Sequence, residues 1–239
     1  MTSHSNDPVA TRWARRQSSA ISVRPPPGHY VFVAPHPDDE TLAVGGLLSK
    51  MKQQGAEVEV VAVTNGGSAY PNTHPYHALA ELRHLEQLAA LEQLGVEPHR
   101  LTVLDLVDGG VRENEAAVAD AIAKLCDEST TIVAPWTGDV HPDHEAVGRA
   151  ARTAARRCSS TLWFSLFWAW HRLEATALDD ERLVRVSLTR AELAQKAAAI
   201  ECHESQLRPT DAEPVLDVAL LEPLRWNKEY YIVDARSEQ

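Results

Sequence analysis

The chain has 239 residues, 44% of them apolar, and a formal net charge of −11. That length fits one large domain or a domain with additions, and the acidic balance argues against nucleic acid as the main partner. No apolar run reaches the roughly 18 residues that a membrane span needs. Cys126, Cys158 and Cys202 are odd in number and unevenly spaced, which fits reduced thiols in a cytoplasmic protein and not a disulfide framework. Arg15-Arg16 is followed by Gln17-Ser-Ser instead of an apolar segment, so it is not read as an export signal.

Residues 1–27 are polar, carry Arg12, Arg15, Arg16 and Arg24, and end in Pro25-Pro-Pro27. They predict a flexible arm, with Trp13 as a residue able to pin it, ahead of a single domain over 28–239. Tyr30 to Ala34 is a short β-branched and aromatic run that reads as a buried strand. Pro35 and Pro37 stop it, and helical spacing resumes over about 41–54 up to Gly55. A second strand spans 57–63 and closes on Thr64-Asn-Gly-Gly67. Residues 78–94 form a strongly amphipathic helix stopped by Gly95. Strands over 100–105 and 131–135 alternate with helices over 113–126 and 143–158. The very apolar run 161–170 reads as a fifth strand.

This alternation predicts an α/β fold, a Rossmann-like and mostly parallel sheet with helices on both faces. A further strand at 183–188 and a helix at 190–206, opened by Thr189, follow at the C-terminal end. Residues 209–223 read as loop with room for one short helix. A GxGxxG fingerprint is absent, because Gly45-Gly46 falls inside the first helix.

Chemistry concentrates after two of the strands. Pro35-His-Pro-Asp-Asp-Glu40 follows the first, and Gly138-Asp-Val-His-Pro-Asp-His144 follows the fourth. Open α/β sheets bind ligands at the carboxyl ends of their strands, so the two turns should meet on one edge. A hydrolytic zinc site needs three His, Asp or Glu ligands and one open position. His36, Asp39 and His144 supply that set and leave Asp38 free as a base.

These motifs resemble those of the PIG-L/LmbE-like zinc-dependent N-deacetylases. The (A/P)HPDDE motif is matched by Pro35 to Glu40 and the HPDH motif by His141-Pro-Asp-His144. Arg83-x-x-Glu86 and Lys196…His203-Glu-Ser-Gln206 match further family features, so the resemblance spans about 29–207. It implies zinc, or another divalent metal such as Fe2+, on His36, Asp39 and His144, with Asp38 as the general base. It further implies that His141 stabilises the oxyanion and protonates the leaving amine, that Asp143 holds the His141 ring, and that Arg83 touches substrate. The residues alone leave Arg83 equally readable as an exposed partner of Glu81 or Glu86, and Asp143 as a helix-favouring first-turn acid. Glu40 reads as a partner of the ligand shell or as another such acid.

The implied activity is removal of an N-acetyl or other N-acyl group from an amino-sugar-containing small molecule in the cytoplasm, with no nucleic-acid or membrane partner. A zinc amidase acting on a larger amide, in a thiol conjugate or natural product, is the alternative. A nonhydrolytic binding protein is the third reading, opposed by the presence of Asp38 beside a full ligand set. A homo-oligomer is compatible with the sequence. His74 and His77 read as loop residues near the pocket, and His203 as structural or as a pocket wall. Trp168 and Trp170 read as core, or as a stacking face for a flat group.

Overall fold

The computed structural model describes residues 8–70 and 74–234. Two parallel neighbours carry the two motifs. Strand β2 (His29–Ala34) pairs in register with β5 (Thr130–Pro135), Phe32 lying opposite Val133. Their carboxyl ends therefore lie side by side, which brings residues 36–40 and 136–144 to one edge. On its other side β2 pairs with β3 (Glu57–Thr64), which pairs in turn with the edge strand β4 (Leu101–Leu106). The chain thus winds outward in both directions from β2 and β5, the switch point at which such sheets place their ligands.

Beyond β5 lies β6 (Thr161–Ser165), also parallel. The sheet then continues through β8 (Lys228–Val233), β7 (Leu183–Ser187) and the two-residue β1 (Ile21–Ser22), in the order β1-β7-β8-β6-β5-β2-β3-β4 among the described residues. β8 is antiparallel to both β6 and β7. Alternation divides β2 between two cores: Val31 and Val33 join one with helix α6 (Pro142–Cys158), while Tyr30 and Phe32 join the other with α3 (Gly45–Gln53) and α4 (Tyr76–Gln93). Helix α5 (Glu115–Ala123) covers the first core, and α8 (Arg190–Glu201) the second.

Four local expectations are corrected. The helix expected over 41–54 is broken into α2 (Asp39–Leu42) and α3. The break falls at Val44, whose φ of −133 is not helical, and Gly46 just after it packs so closely that a Cβ would meet Leu188 Cδ1 at 2.4 Å. The Glu229 carboxylate instead accepts from the Gly46 and Leu47 N–H groups at 2.8 and 2.7 Å, and pairs with buried Lys196 at 2.6 Å. The expected strand over 161–170 ends at Ser165, and Trp168–Arg172 forms helix α7. Buried Asp139 causes that turn by accepting from the backbone N–H groups of Phe167, Trp168 and Ala169. The helix expected to run to 206 stops at Glu201, with a short α9 (Glu204–Leu207) after it, although Thr189 caps its start as expected, within a capping box with Glu192.

The fourth correction concerns the arm. Residues 1–7 lie outside the described residues, but Val9–Ser19 forms helix α1 and β1 pairs with β7. Trp13 is fully buried, donates Nε1–H to the Trp170 carbonyl at 3.0 Å and packs edge-on against the Trp170 ring. The Glu222 carboxylate accepts from Val9 and Ala10 N–H at the start of α1, where the helix dipole favours an anion. Trp13→Ala should therefore lower stability by roughly 3–5 kcal/mol, about 10 °C in Tm. An unchanged melting curve would mean that α1 is detached in solution.

Candidate active site

At the carboxyl edge of β2 and β5, ligand atoms of His36, Asp39 and His144 converge within 4.8 Å of one another. His144 occupies the first turn of α6 and is buried, and its Nδ1 is 2.8 Å from Asp139 Oδ2. That contact fixes the proton on Nδ1 and turns the Nε2 lone pair inward. Nε2 is buried, has no hydrogen-bond partner, and lies 3.3 Å from Asp39 Oδ2. The same Asp39 oxygen is 3.2 Å from His36 Nδ1. Two imidazole nitrogens and a carboxylate oxygen around one point form a donor set that suits zinc, and the orphaned Nε2 is the atom a cation would satisfy.

The electrostatics agree. Burial pulls the His144 imidazole down, but Asp39 and Asp139 outweigh it and hold its pKa up at about 10. Burial likewise opposes His36, whose bonds to Asp143 and Asp39 raise it to about 9. Asp39 is pushed up by burial, yet His144 and His36 bring it well below the usual carboxylate range. In the metal-free cluster the two imidazoles are thus held by the carboxylates around them.

Asp139 was not singled out by the sequence. The signal was present, in a carboxylate five residues before His144 within the same motif, but only the fold shows it joining His144 to the N-terminus of α7.

Asp38 is buried, and Arg83 Nη2 donates to its Oδ2 at 3.0 Å and to the Pro37 carbonyl at 3.0 Å. Burial raises the Asp38 carboxyl to about 6, with Arg83 limiting the rise. Arg83 is neither exposed nor paired with Glu81 or Glu86, because Nη1 also donates to the Gly66 carbonyl. Gly66 has φ +71, and a Cβ there would lie 2.5 Å from Arg83 Nη1, so only glycine admits the guanidinium. Glu86 instead accepts from the N–H and hydroxyl of Ser205.

Asp143 also differs from expectation. Its Oδ2 takes the Nε2 of His36 at 3.1 Å and the Gly109 N–H at 2.7 Å, and His141 Nδ1 is buried without a partner. Asp143 orients the His36 ring, not that of His141, because α6 turns its first-turn carboxylate toward β2. The indole of Trp168 stacks with His141 at 5.8 Å, and the Arg172 guanidinium lies 4.0 Å over that indole and donates to the Val140 carbonyl. Burial lowers His141 to about 4, aided by His144 and His36, so its ring is neutral at pH 7.

Trp170 is core, packed against Trp13, Trp226 and Tyr230. His203 is buried beside the Thr41 hydroxyl, whereas Gln206 lines the cavity. Neither His74 nor His77 is among the described residues that line it.

These groups open on a cavity of about 430 Å³. Its polar lining includes His36, Asp38, Asp39, Arg83, His141 and Asp143, and its apolar lining Leu42, Phe167, Val215 and Leu216. Behind them Glu40 is buried, and burial above all raises it from 4.5 to about 8. The native state then keeps a proton that the unfolded chain releases, so stability falls as pH rises from about 4.5 to about 8. In chelator-treated protein, the Tm advantage of Glu40→Gln over the parent should grow between pH 5 and pH 8. A constant or shrinking difference would show that Glu40 ionises freely in the fold.

A family model described as PIG-L, GlcNAc-PI de-N-acetylase, matches residues 31–155. A probable N-acetyl-alpha-D-glucosaminyl L-malate deacetylase 2 of Bacillus subtilis (strain 168) is 30% identical over 137 residues, 54% of this chain and 61% of the relative. A 1D-myo-inositol 2-acetamido-2-deoxy-alpha-D-glucopyranoside deacetylase of Mycobacterium sp. (strain KMS) is 33% identical over 176 residues, 63% of this chain and 56% of that protein. The matches thus span about half to three fifths of the length of these curated relatives. Among solved structures, the zinc-inhibited form of teicoplanin deacetylase superimposes with TM-score 0.66 at 21% identity, over 86% of this chain and 97% of that one. The N,N'-diacetylchitobiose deacetylase of Pyrococcus horikoshii gives 0.61 at 21% identity, over 75% and 70%. At these identities the structural likeness shows the α/β fold.

Proposed function

The chain belongs to the PIG-L (GlcNAc-PI de-N-acetylase) family, and on that premise we propose that it is a zinc-dependent hydrolase removing an N-acetyl group from an amino-sugar-containing small molecule. One observation carries the reading: the convergent His36, Asp39 and His144 atoms share a cavity with a buried carboxylate, Asp38, held by Arg83. The deacetylase names of the curated relatives support the reaction class.

His36, Asp39 and His144 would hold the metal, with Asp143 and Asp139 fixing the two rings. Bound there, a divalent ion supplies Lewis acidity toward the acyl carbonyl and makes water a nucleophile near neutral pH. Asp38 receives the water's proton. Arg83 occupies its Oδ2, which leaves Oδ1 for that proton, and a carboxyl raised to about 6 holds it readily and passes it on to the departing amine. His141 is neutral and donates an N–H toward the developing oxyanion, not a full charge. On this reading proton donation to the amine falls to Asp38 and not to His141, which the raised Asp38 carboxyl and the neutral His141 ring support.

The test is to purify the protein without chelator, determine its metal by elemental analysis, and measure acetate and free amine released from simple N-acetylglucosaminides. About one zinc or similar ion per chain is expected, with activity lost on chelation and restored by zinc. Protein reloaded with zinc, cobalt or iron that releases no acetate from any such substrate would overturn the reading.

A further inference from the structure

We infer that the cavity selects an uncharged amino-sugar substrate bearing an apolar group, and that Val215 and Leu216 are its specificity-determining residues. The inference rests on the deacetylase reading for the reaction, but stands on the charge and wall of the cavity for the ligand. Four carboxylates line the space, those of Asp38, Asp39, Asp108 and Asp143. Among the described lining residues Arg83 is the one lysine or arginine; its Nη2 and Nη1 donate to Asp38 and the Gly66 carbonyl, while its Nε is buried without a partner. Asp108 accepts from the Gly66 and Ser68 N–H groups, so those backbone donors are taken as well. With a divalent ion in place the lining still carries more negative charge than positive. A phosphate or carboxylate beyond the scissile amide would therefore be desolvated against a net negative lining, with Arg83, already paired with Asp38, as the one lysine or arginine among the described lining residues.

Part of the lining is apolar. Leu42, Phe167 and Leu216 belong to one small core cluster, against which Trp168 packs. Val215 stands beside them, half-buried. The segment is fixed on both sides: the Val215 N–H donates to the Tyr70 hydroxyl at 3.2 Å and the Leu216 N–H to the Gln206 carbonyl at 3.1 Å. Both residues lie beyond the stretch 31–155 matched by the family model. The cavity's 430 Å³ falls in the range that holds a drug-sized ligand. The apolar group can sit on the glycoside side or on the acyl side, and the two are distinguished by experiment.

Calorimetry on the zinc-loaded chain with uncleavable product-like probes separates these outcomes. Methyl glucosaminide, phenyl glucosaminide and glucosamine 1-phosphate report the glycoside side; acetate and hexanoate report the acyl side. Phenyl over methyl, or hexanoate over acetate, should bind at least about tenfold tighter, the scale expected for burying one apolar side group. Glucosamine 1-phosphate should bind at least about tenfold more weakly than the methyl glycoside. Val215→Lys, at a half-exposed position, should remove the apolar gain and strengthen phosphate binding. Phosphate binding as tight as that of the methyl glycoside, or no apolar gain on either side, would overturn the inference. Acetate release by the parent chain is read separately, so failure of the reaction assay and failure of this inference remain distinct.

Discussion

Asp38→Asn is expected to bind metal as the parent does and to turn over substrate about 10²–10⁴-fold more slowly. The amide is nearly isosteric with the carboxylate, and its oxygen can still accept from Arg83, whose Nη2 now reaches Asp38 Oδ2 at 3.0 Å. What the amide lacks is a site for the water's proton. Asp38 is buried and its carboxyl is raised to about 6, so in the parent it is poised to take a proton and give it back near neutral pH. Metal content should stay unchanged because His36, Asp39 and His144 are untouched. Metal analysis and kcat on the same preparation decide the point. Wild-type turnover with full metal would remove Asp38 as the base and turn attention to Glu40, whose carboxyl is raised further still.

The central half of the fold was legible because its parallel strands are short apolar runs and the helices between them apolar stripes, α3 and α4 being closed by Gly55 and Gly95. The meeting of the two motifs was legible for the same reason, since β2 and β5 both end in proline-bearing turns. What escaped the sequence depended on partners far along the chain. β8 is an apolar run, Glu229-Tyr-Tyr-Ile-Val233, with no helix before it to announce a strand, and it enters the sheet antiparallel. Helix α1 looked like an arm because its sequence is polar, and what holds it in place, Trp13 on Trp170, Arg16 on the Leu178 carbonyl and the Glu222 carboxylate at its start, lies far along the chain. Residues 166–170 carry strand-like aromatics, but Asp139 outbids that propensity by capping three of their N–H groups. The candidate ligand residues were readable as residue types; which carboxylate orients which ring was not. Asp139 on His144 and Asp143 on His36 follow from where α6 starts relative to β2.

His144→Ala is expected to lose the metal and bring activity to background, whereas His141→Ala should keep the metal and depress kcat. Two groups of side chains compete for the ion in the geometry: His36, Asp39 and His144, or His36, His141 and Asp143. The second is already occupied by hydrogen bonds, because Asp143 Oδ2 accepts from His36 Nε2 and from the Gly109 N–H. The first leaves His144 Nε2 buried and without a hydrogen-bond partner, with Asp139 holding the opposite ring nitrogen. Both groups hold orphaned atoms, His144 Nε2 in the first and His141 Nδ1 and Asp143 Oδ1 in the second, but only in the first does a carboxylate, Asp139, hold the opposite ring nitrogen of the orphaned histidine. Loss of an orienting carboxylate typically weakens metal binding about 10–100-fold, so Asp139→Asn should shift zinc affinity by that amount while His141→Ala leaves it unchanged. Zinc content and competition with a chelator, measured on all three variants beside kcat, decide between the groups. If His141→Ala loses zinc as fully as His144→Ala, the ion is shared by the His36–His141–Asp143 group and the division of labour between the two histidines is wrong.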